Sequence, residues 1–413
     1  MKADLDRLMT EHTLDAIIVL GDENPNPFLD YLTNRAKAHG VLFKKRGETP
    51  VFIVGGMEID EARKSGLDVR TYYEFGFADL YQKFGANPDA LRREMFLAYV
   101  RQLGIRGQVA VYGVVEIGPA MARLLALQDS ALGIDLVFDG PALNLFGKMY
   151  ETKDAHELAA LREAGQATAE VVRRTWDYLS RLYATDEATG SPVVDEDGRP
   201  VTIGDVKRFI RAQQIALGLN DEECIFAQGR DAGIPHSHGE DDQALQTGRS
   251  IVFDIFPKGV NSGYYHDMTR TWCLGHAPAD VQAVYDDVMH IFHEVIGALK
   301  VGEPNAKYQI MTLDYFESKG HPTGRSHPGT MDGYVHSLGH GIGMNVHESP
   351  SFRERSTEVL QPGNCFTVEP GLYYPERGYG VRIEDSVYFD ESGQLHNLTN
   401  FPYDLVIPLR LKA

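Results

Sequence analysis

Four acidic side chains and a group of histidines in the second half of the chain stand where chemistry is the best reason for them. Asp254 lies in SIVFDIFPKG, between Phe253 and Ile255, within a run that otherwise reads as a buried strand. Asp267 follows thirteen residues later in SGYYHDMTRTWCLG, and Asn261 with Gly263 supplies a turn between the two. Adjacent antiparallel strands would bring both carboxylates to one face. Two negative charges roughly 4 Å apart repel by about 4 kcal/mol at an effective dielectric near 20, which argues for a cation between them. Glu369 in FTVEPGLYY and Glu384 in GVRIEDSVYF each follow apolar strand formers. HSLGHGIGMNVHESP carries His336, His340 and His347 among Gly339, Gly341 and Gly343. Imidazole suits borderline transition metals, yet the pair His347-Glu348 is followed by Ser351 where an HExxH helix requires its second histidine.

Each signal has an ordinary alternative: a hydrogen-bonded Asp at a strand end, unrelated surface histidines, a surface strand of alternating charge. As one ordered set of two Asp, one His and two Glu, they point to a metal centre. Two divalent ions cancel four carboxylates, and a bridging hydroxide leaves a single negative charge. Near-neutrality therefore favours a dinuclear centre over one zinc.

The order DIF…HDMTRT…HSLGHGIGMNVHE…VEPGLYY…VRIEDSV resembles the pita-bread metallopeptidases, which include Xaa-Pro aminopeptidases, prolidases and, more distantly, methionine aminopeptidases and creatinase. ETKDAHELAALREA resembles the opening of their catalytic domain, and FLDYLTN near Phe28 resembles the creatinase-type amino-terminal domain. The resemblance implies Asp254, Asp267, His340, Glu369 and Glu384 as metal ligands. Asp254 would bind one ion, His340 and Glu369 the other, and Asp267 and Glu384 would bridge. It implies catalytic roles for Glu369, which passes a proton to the leaving amine, and for His347, which steadies the tetrahedral intermediate. A further active-site histidine in AGIPHSHGED would be His236, with His238 as the competing assignment. His336 corresponds to the first histidine of the family's HG-x-x-H element. Two divalent ions are implied, manganese first, and the mixed oxygen and nitrogen donors also admit cobalt, zinc or iron.

The implied activity is an exopeptidase acting on short peptides, with Xaa-Pro bonds as the leading substrate. A same-fold exopeptidase of other specificity is the alternative, followed by a metal-free creatinase-like hydrolase or a non-catalytic scaffold. A homodimer or homotetramer is expected by the same resemblance. Departures fall around the substrate: DIFPKG replaces the usual Asp-x-Gly, Ser337 replaces a glycine, and His321 to Tyr334 forms an unusual loop. Arg325, Arg377, Arg382, His236, Tyr264 and Tyr373 are candidates for sensing a free terminus, although Arg382 is better read as a partner of a ligand carboxylate.

These residues need a scaffold. Apolar runs at Ala16 to Leu20, Val51 to Val54 and Val109 to Tyr112, with a helical pattern over Asp89 to Leu103, predict an α/β amino-terminal domain over residues 1–148. Residues 149–413 form the α+β catalytic domain, with a curved, mostly antiparallel sheet implied by the resemblance. Asp154 and Glu157 make a capping box for a long helix. Further helices are predicted over Ile203 to Leu217, Ala279 to Leu299 and Ala306 to Lys319. Strands are predicted at Cys224 to Ala227, Ser250 to Phe256, Gly263 to Cys273, Cys365 to Val368 and Val381 to Phe389. Ala184 to Pro200 reads as a surface excursion or hairpin.

The bulk numbers exclude several classes. With 413 residues, 43% hydrophobic and 24% charged, the chain can fill two or more cores without disulfides. A net charge of −19 disfavours nucleic acid. GVVEIG lacks the spacing of a dinucleotide fingerprint. No apolar run long enough to span a membrane occurs, and MKADLDRLMTEH lacks the apolar run expected of a signal peptide. Cys224, Cys273 and Cys365 form no CxxC pair, so a reducing, cytoplasmic location is expected.

Overall fold

The computed structural model describes residues 2–21, 26–140, 143–220 and 223–412. The chain divides into two compact units, Met1–Met149 and Tyr150–Ala413. Among the described residues, no helix is long and apolar enough to cross a membrane.

The first unit is built on a six-stranded mixed sheet. Its strands are β1 (Ala16–Gly21), β2 (Gly40–Lys45), β3 (Val51–Val54), β4 (Asp68–Thr71), β5 (Gly107–Gly113) and β6 (Ile134–Val137), in the order β4-β3-β2-β1-β5-β6. β1 is buried along its whole length, with β2 antiparallel on one side and β5 parallel on the other. That position explains why AIIVLG is apolar without alternation. The helix Pro88–Gln102 starts where Asn87 accepts from the Ala90 N–H and Pro88 takes the first turn. Its buried face is Met95, Phe96, Leu97 and Val100; Leu91 and Ala98, expected there, are only half-buried.

The second unit is an antiparallel-sheet domain backed by two helix pairs. The helix Ala155–Leu179 begins at the capping box of Asp154 and Glu157. β7 (Tyr183–Ala184) and β8 (Val193–Val194) pair antiparallel, so the polar excursion is a hairpin. β9 (Ile225–Gln228), β10 (Ser250–Ile255) and β11 (Met268–Leu274) run antiparallel in sequence across one sheet. The other large sheet holds β12 (His340–Gly341), β13 (Glu348–Ser351), β14 (Cys365–Val368), β17 (Asp385–Phe389) and β18 (Leu395–Asn397). Between them lies the hairpin of β15 (Gly371–Tyr374) and β16 (Tyr379–Arg382).

Two apolar clusters clamp these sheets. The helices Ala155–Leu179 and Ile203–Ala216 pack on β9, β10 and β11 through Val172, Val206, Phe253 and Trp272. The helices Ala279–Ala298 and Ala306–Ser318 pack on β14 to β17 through Val288, Phe316, Phe366 and Val387. Each such fully buried side chain contributes about 1.5–3 kcal/mol.

Two expected strands differ. β11 begins at Met268 rather than Gly263, because the chain first makes a loop in which the Gly259 N–H donates to the Tyr264 carbonyl and the Gly263 N–H to the Gly259 carbonyl. Val381 to Phe389 is two strands, β16 and β17, broken at Ile383 and Glu384, because the chain changes partners there: β16 pairs with β15, and β17 with β14.

Candidate metal centre

Strand alternation delivers the carboxylates. In β10, Ile251, Phe253 and Ile255 point into the first apolar cluster, which leaves Asp254 on the opposite face. In β11, Met268, Trp272 and Leu274 point into that cluster, so Thr269 faces the other way, as does Asp267 just before the strand. Asp254 pairs in register with Thr269. On its other side Thr269 forms an antiparallel bridge with Glu384, so the Thr269 backbone stands between the two acids. Val368 pairs with Asp385 across β14 and β17, and one residue beyond that pair stand Glu369 and Glu384. His340 arrives on β12, where its backbone N–H donates to Thr367 Oγ1 at 3.1 Å. Gly339 is needed for this approach, since a Cβ there would lie 2.0 Å from the Thr367 carbonyl.

The five residues converge. His340, Asp267 and Glu384 each offer a ligand atom within 4.8 Å of the other two. Glu369 Oε1 lies 3.4 Å from His340 Nε2, and Asp267 Oδ2 lies 3.7 Å from it. His340 Nδ1 faces the Gly341 carbonyl at 3.1 Å. A carbonyl only accepts, so the proton sits on Nδ1 and the Nε2 lone pair is aimed at the carboxylates. Arg382 Nη2 donates to Asp254 Oδ2 at 2.7 Å, as a partner of a ligand carboxylate should. Its Nε donates to Thr269 Oγ1 at 3.2 Å, and Thr269 Oγ1 donates to Glu384 Oε2 at 2.7 Å. Arg382 Nη1 reaches Tyr373 Oη at 2.9 Å, and Tyr373 Oη lies 2.8 Å from His336 Nε2.

The electrostatics are those of a cage short of positive charge. Asp267 titrates well above the usual carboxylate range, through burial first and then the charges of Glu384, Asp254 and Glu369. Glu384 is also pushed well up, by burial and by Glu369 and Asp254. Burial raises Glu369 as well, against the pull of His336 and Arg382. Burial holds His340 below its ordinary value, which favours the neutral, ligating form. Asp254 Oδ1 and Asp267 Oδ1 are buried, and no donor serves either. Orphaned carboxylate oxygens are costly in the interior. A divalent ion bonded at about 2.0–2.2 Å to oxygen and imidazole nitrogen would satisfy them, so the residues present fit the metal.

The remaining candidates separate clearly. His347 is exposed beside the cluster, its ring centroid 4.4 Å from that of His340 and edge-on to it. His236 is exposed, and its charge is felt by both His336 and His347. His238 instead stands 3.7 Å from Glu223, among Lys207, Arg211 and Gln214. Arg325 is held by Glu317 and Asp314, Arg377 lies over the Tyr374 ring, and Tyr264 donates to Glu157 at 3.1 Å. Of the residues considered for sensing a terminus, Arg382, Tyr373 and His236 are the ones at the cluster. The loop from His321 to Tyr334 ends against β15, where Gly333 and Tyr373 exchange backbone hydrogen bonds.

Sequence reasoning missed Thr269, whose hydroxyl links Arg382 to Glu384; its place two residues after Asp267 on a strand was the available signal. It also missed the buried pair of Lys153 and Glu348, 2.7 Å apart, which anchors the segment after His347.

A buried cluster of carboxylates and one neutral imidazole, with histidines on its open side, defines a metal-dependent hydrolytic centre as a class. A model of metallopeptidase family M24 matches residues 159–391. The chain is 34% identical over 267 residues to an uncharacterized peptidase, YqhT, of Bacillus subtilis, covering 65% of this chain and 67% of that one. It is 29% identical over 301 residues to the probable dipeptidase PepE of Mycobacterium tuberculosis, covering 73% and 71%. An Xaa-Pro dipeptidase structure from Bacillus anthracis superposes with a TM-score of 0.76 over 98% of this chain and 99% of that one at 22% identity, a likeness of fold. This chain belongs to the M24 metallopeptidase family, the pita-bread fold expected from its motifs.

Proposed function

We propose that the protein is an exopeptidase of short peptides, dependent on two divalent ions, manganese first, with Xaa-Pro bonds as its leading substrates. The observation that carries this reading is the pair of buried, undonated oxygens on Asp254 and Asp267 within the five-residue cluster. The names of relatives support it: PepE is a probable dipeptidase, and the Bacillus anthracis protein is an Xaa-Pro dipeptidase.

In this reading Asp254, Asp267, His340, Glu369 and Glu384 hold the metal. Bound there, divalent ions would supply Lewis-acid polarisation of the scissile carbonyl and acidify the attacking water. Arg382 fixes Asp254 and, through Thr269, Glu384, so the ligands keep their aim. The Gly341 carbonyl fixes the His340 tautomer. Glu369, raised by burial, takes the proton from the attacking water and passes it to the leaving amine. His347 and His236, on the open side, donate to substrate oxygens as charge develops there.

The test is mass spectrometry on a mixed pool of dipeptides, tripeptides and longer peptides, with and without proline, after reconstitution with manganese. Cleavage one residue from a terminus, strongest at Xaa-Pro and abolished by chelation, is expected. Full-rate cleavage by a chelated sample would refute the metal reading. Equal cleavage of proline-free peptides would replace the proline preference with a broader one.

A further inference from the structure

A cavity of about 170 Å³ lies in the catalytic unit between the helix Ile203–Ala216 and the segments flanking β9. None of the metal-site residues lines it. Lys207, Arg211 and Gln214 follow at four and three residues along that helix, which places them on one face. Lys207 Nζ is already engaged, by the Gly239 carbonyl at 2.9 Å and Asp241 Oδ1 at 2.7 Å. Arg208 is engaged by Asp205 at 2.6 Å. Two donors remain. Arg211 is exposed, and among the described residues its guanidinium makes no hydrogen bond or ion pair. Gln214 is 1% exposed, and its Nε2 has no acceptor. A buried amide N–H without an acceptor is destabilising, and an acceptor in the cavity would remove that penalty.

We propose that this cavity binds a small phosphoryl oxyanion between the Arg211 guanidinium and the Gln214 carboxamide, with His238 closing the third side. The cavity is smaller than the roughly 300–1,000 Å³ of pockets for drug-sized molecules, so the ligand is phosphate itself or a small phosphomonoester. Arg211 and Gln214 come from the helix and His238 from the facing loop. Donors arriving from separate directions suit a tetrahedral anion; a flat carboxylate is satisfied by one guanidinium fork. The site reaches the metal centre through a few residues of chain. Lys207 holds Gly239, His238 O accepts from the Phe226 N–H at 3.3 Å, and Pro235 O accepts from Arg382 at 3.2 Å. His236 lies within that tethered stretch, so an occupant steadies the segment that presents it.

Isothermal titration calorimetry on the full, metal-loaded chain at constant ionic strength tests this with inorganic phosphate, methyl phosphate and acetate. Saturable phosphate binding is expected, about tenfold tighter than acetate and about tenfold weaker in Arg211→Ala. Gln214→Leu should weaken it as well. Arg211 is exposed, so its variant puts the site to the test without burdening the fold. Methyl phosphate equal to phosphate would support an esterified ligand, and weaker binding would support free phosphate. Phosphate that binds undiminished to Arg211→Ala sits elsewhere, the metal centre included, and overturns the proposal. Absence of saturable binding overturns it too, as does acetate binding as tightly as phosphate.

Discussion

Arg382 and Asp254 form a buried pair at 2.7 Å in which one carboxylate oxygen is taken and the other is left for a metal. The guanidinium is itself buried; burial opposes its charge, but Tyr373, Asp254, Glu369 and Glu384 keep it protonated. It therefore serves as a permanent counter-charge to the acids. With two divalent ions and one hydroxide added, the cluster of four carboxylates and Arg382 is neutral.

Arg382→Met should therefore destabilise the fold. Removing one partner of a buried ion pair typically costs about 3–5 kcal/mol, because the other charge stays behind. Chemical denaturation of the chelated protein measures the loss, and added manganese should recover part of it. A variant as stable as the wild type when metal-free would show that Asp254 finds another counter-charge.

Stability should respond to pH in a definite direction. Asp267 and Glu384 titrate well above ordinary carboxylates in the folded chain, through burial and mutual repulsion. Between the unfolded and the raised folded values, the native state holds more protons than the unfolded one. The metal-free protein accordingly loses stability as pH rises through that window. Metal takes the place of those protons, so the gain in Tm on adding manganese should be larger at mildly alkaline than at mildly acidic pH. A gain that shrinks as pH rises would contradict the assignment.

Asp267→Asn and His340→Ala should both lose metal and turnover together. Supporting residues around metal ligands typically cost about 10–100-fold on removal, and a direct ligand should cost more. Elemental analysis of the purified variants beside peptide turnover makes the comparison. Retention of two ions per chain in either variant would remove that residue from the centre.

His236→Ala and His347→Ala should instead keep their metal and lose about 10²–10⁴ in kcat/KM, the usual worth of a positioned proton donor. Both side chains are exposed, so the Tm should change little. Metal loss in either variant would recast it as a ligand.

Gly343→Ala probes the scaffold. A Cβ there would stand 2.5 Å from Glu348 Oε2 and 2.8 Å from Lys153 Cε. The ends of the buried Lys153 and Glu348 side chains must then shift to make room, at a cost of about 1–3 kcal/mol, and His347 moves with its neighbour. Denaturant midpoints and KM report the two effects separately; an unchanged midpoint would mean the pair accommodates a methyl group.

Much of the centre was legible because strands alternate. Asp254 stands out as an acid among apolar residues, and two adjacent antiparallel strands with a period of two are enough to put Asp267 on its face. Glu384 was legible as a residue but not as a place. The β-formers run on through Ile383, and only the exchange of partners between β15 and β14 breaks the strand there. The same limit hid β4, where DVRT has no apolar run and extends because it pairs parallel with β3. Thr269 was invisible for a related reason: its hydroxyl matters through residues more than a hundred positions away, Arg382 and Glu384.

The interruption at Ile383 and Glu384 bears on how the protein ages and fails. The proposed ligands come from the sheet of β9 to β11 and from the sheet of β12 to β18, and Glu384 stands where the chain leaves the β15–β16 hairpin for the second of these while bridged to Thr269 of the first. Neither sheet can loosen while its neighbour retains a complete set of donors. Escape of the ions should therefore require the catalytic unit to open, after which the metal-free chain can close again, and exchange of bound manganese for a labelled isotope would report the rate of that opening.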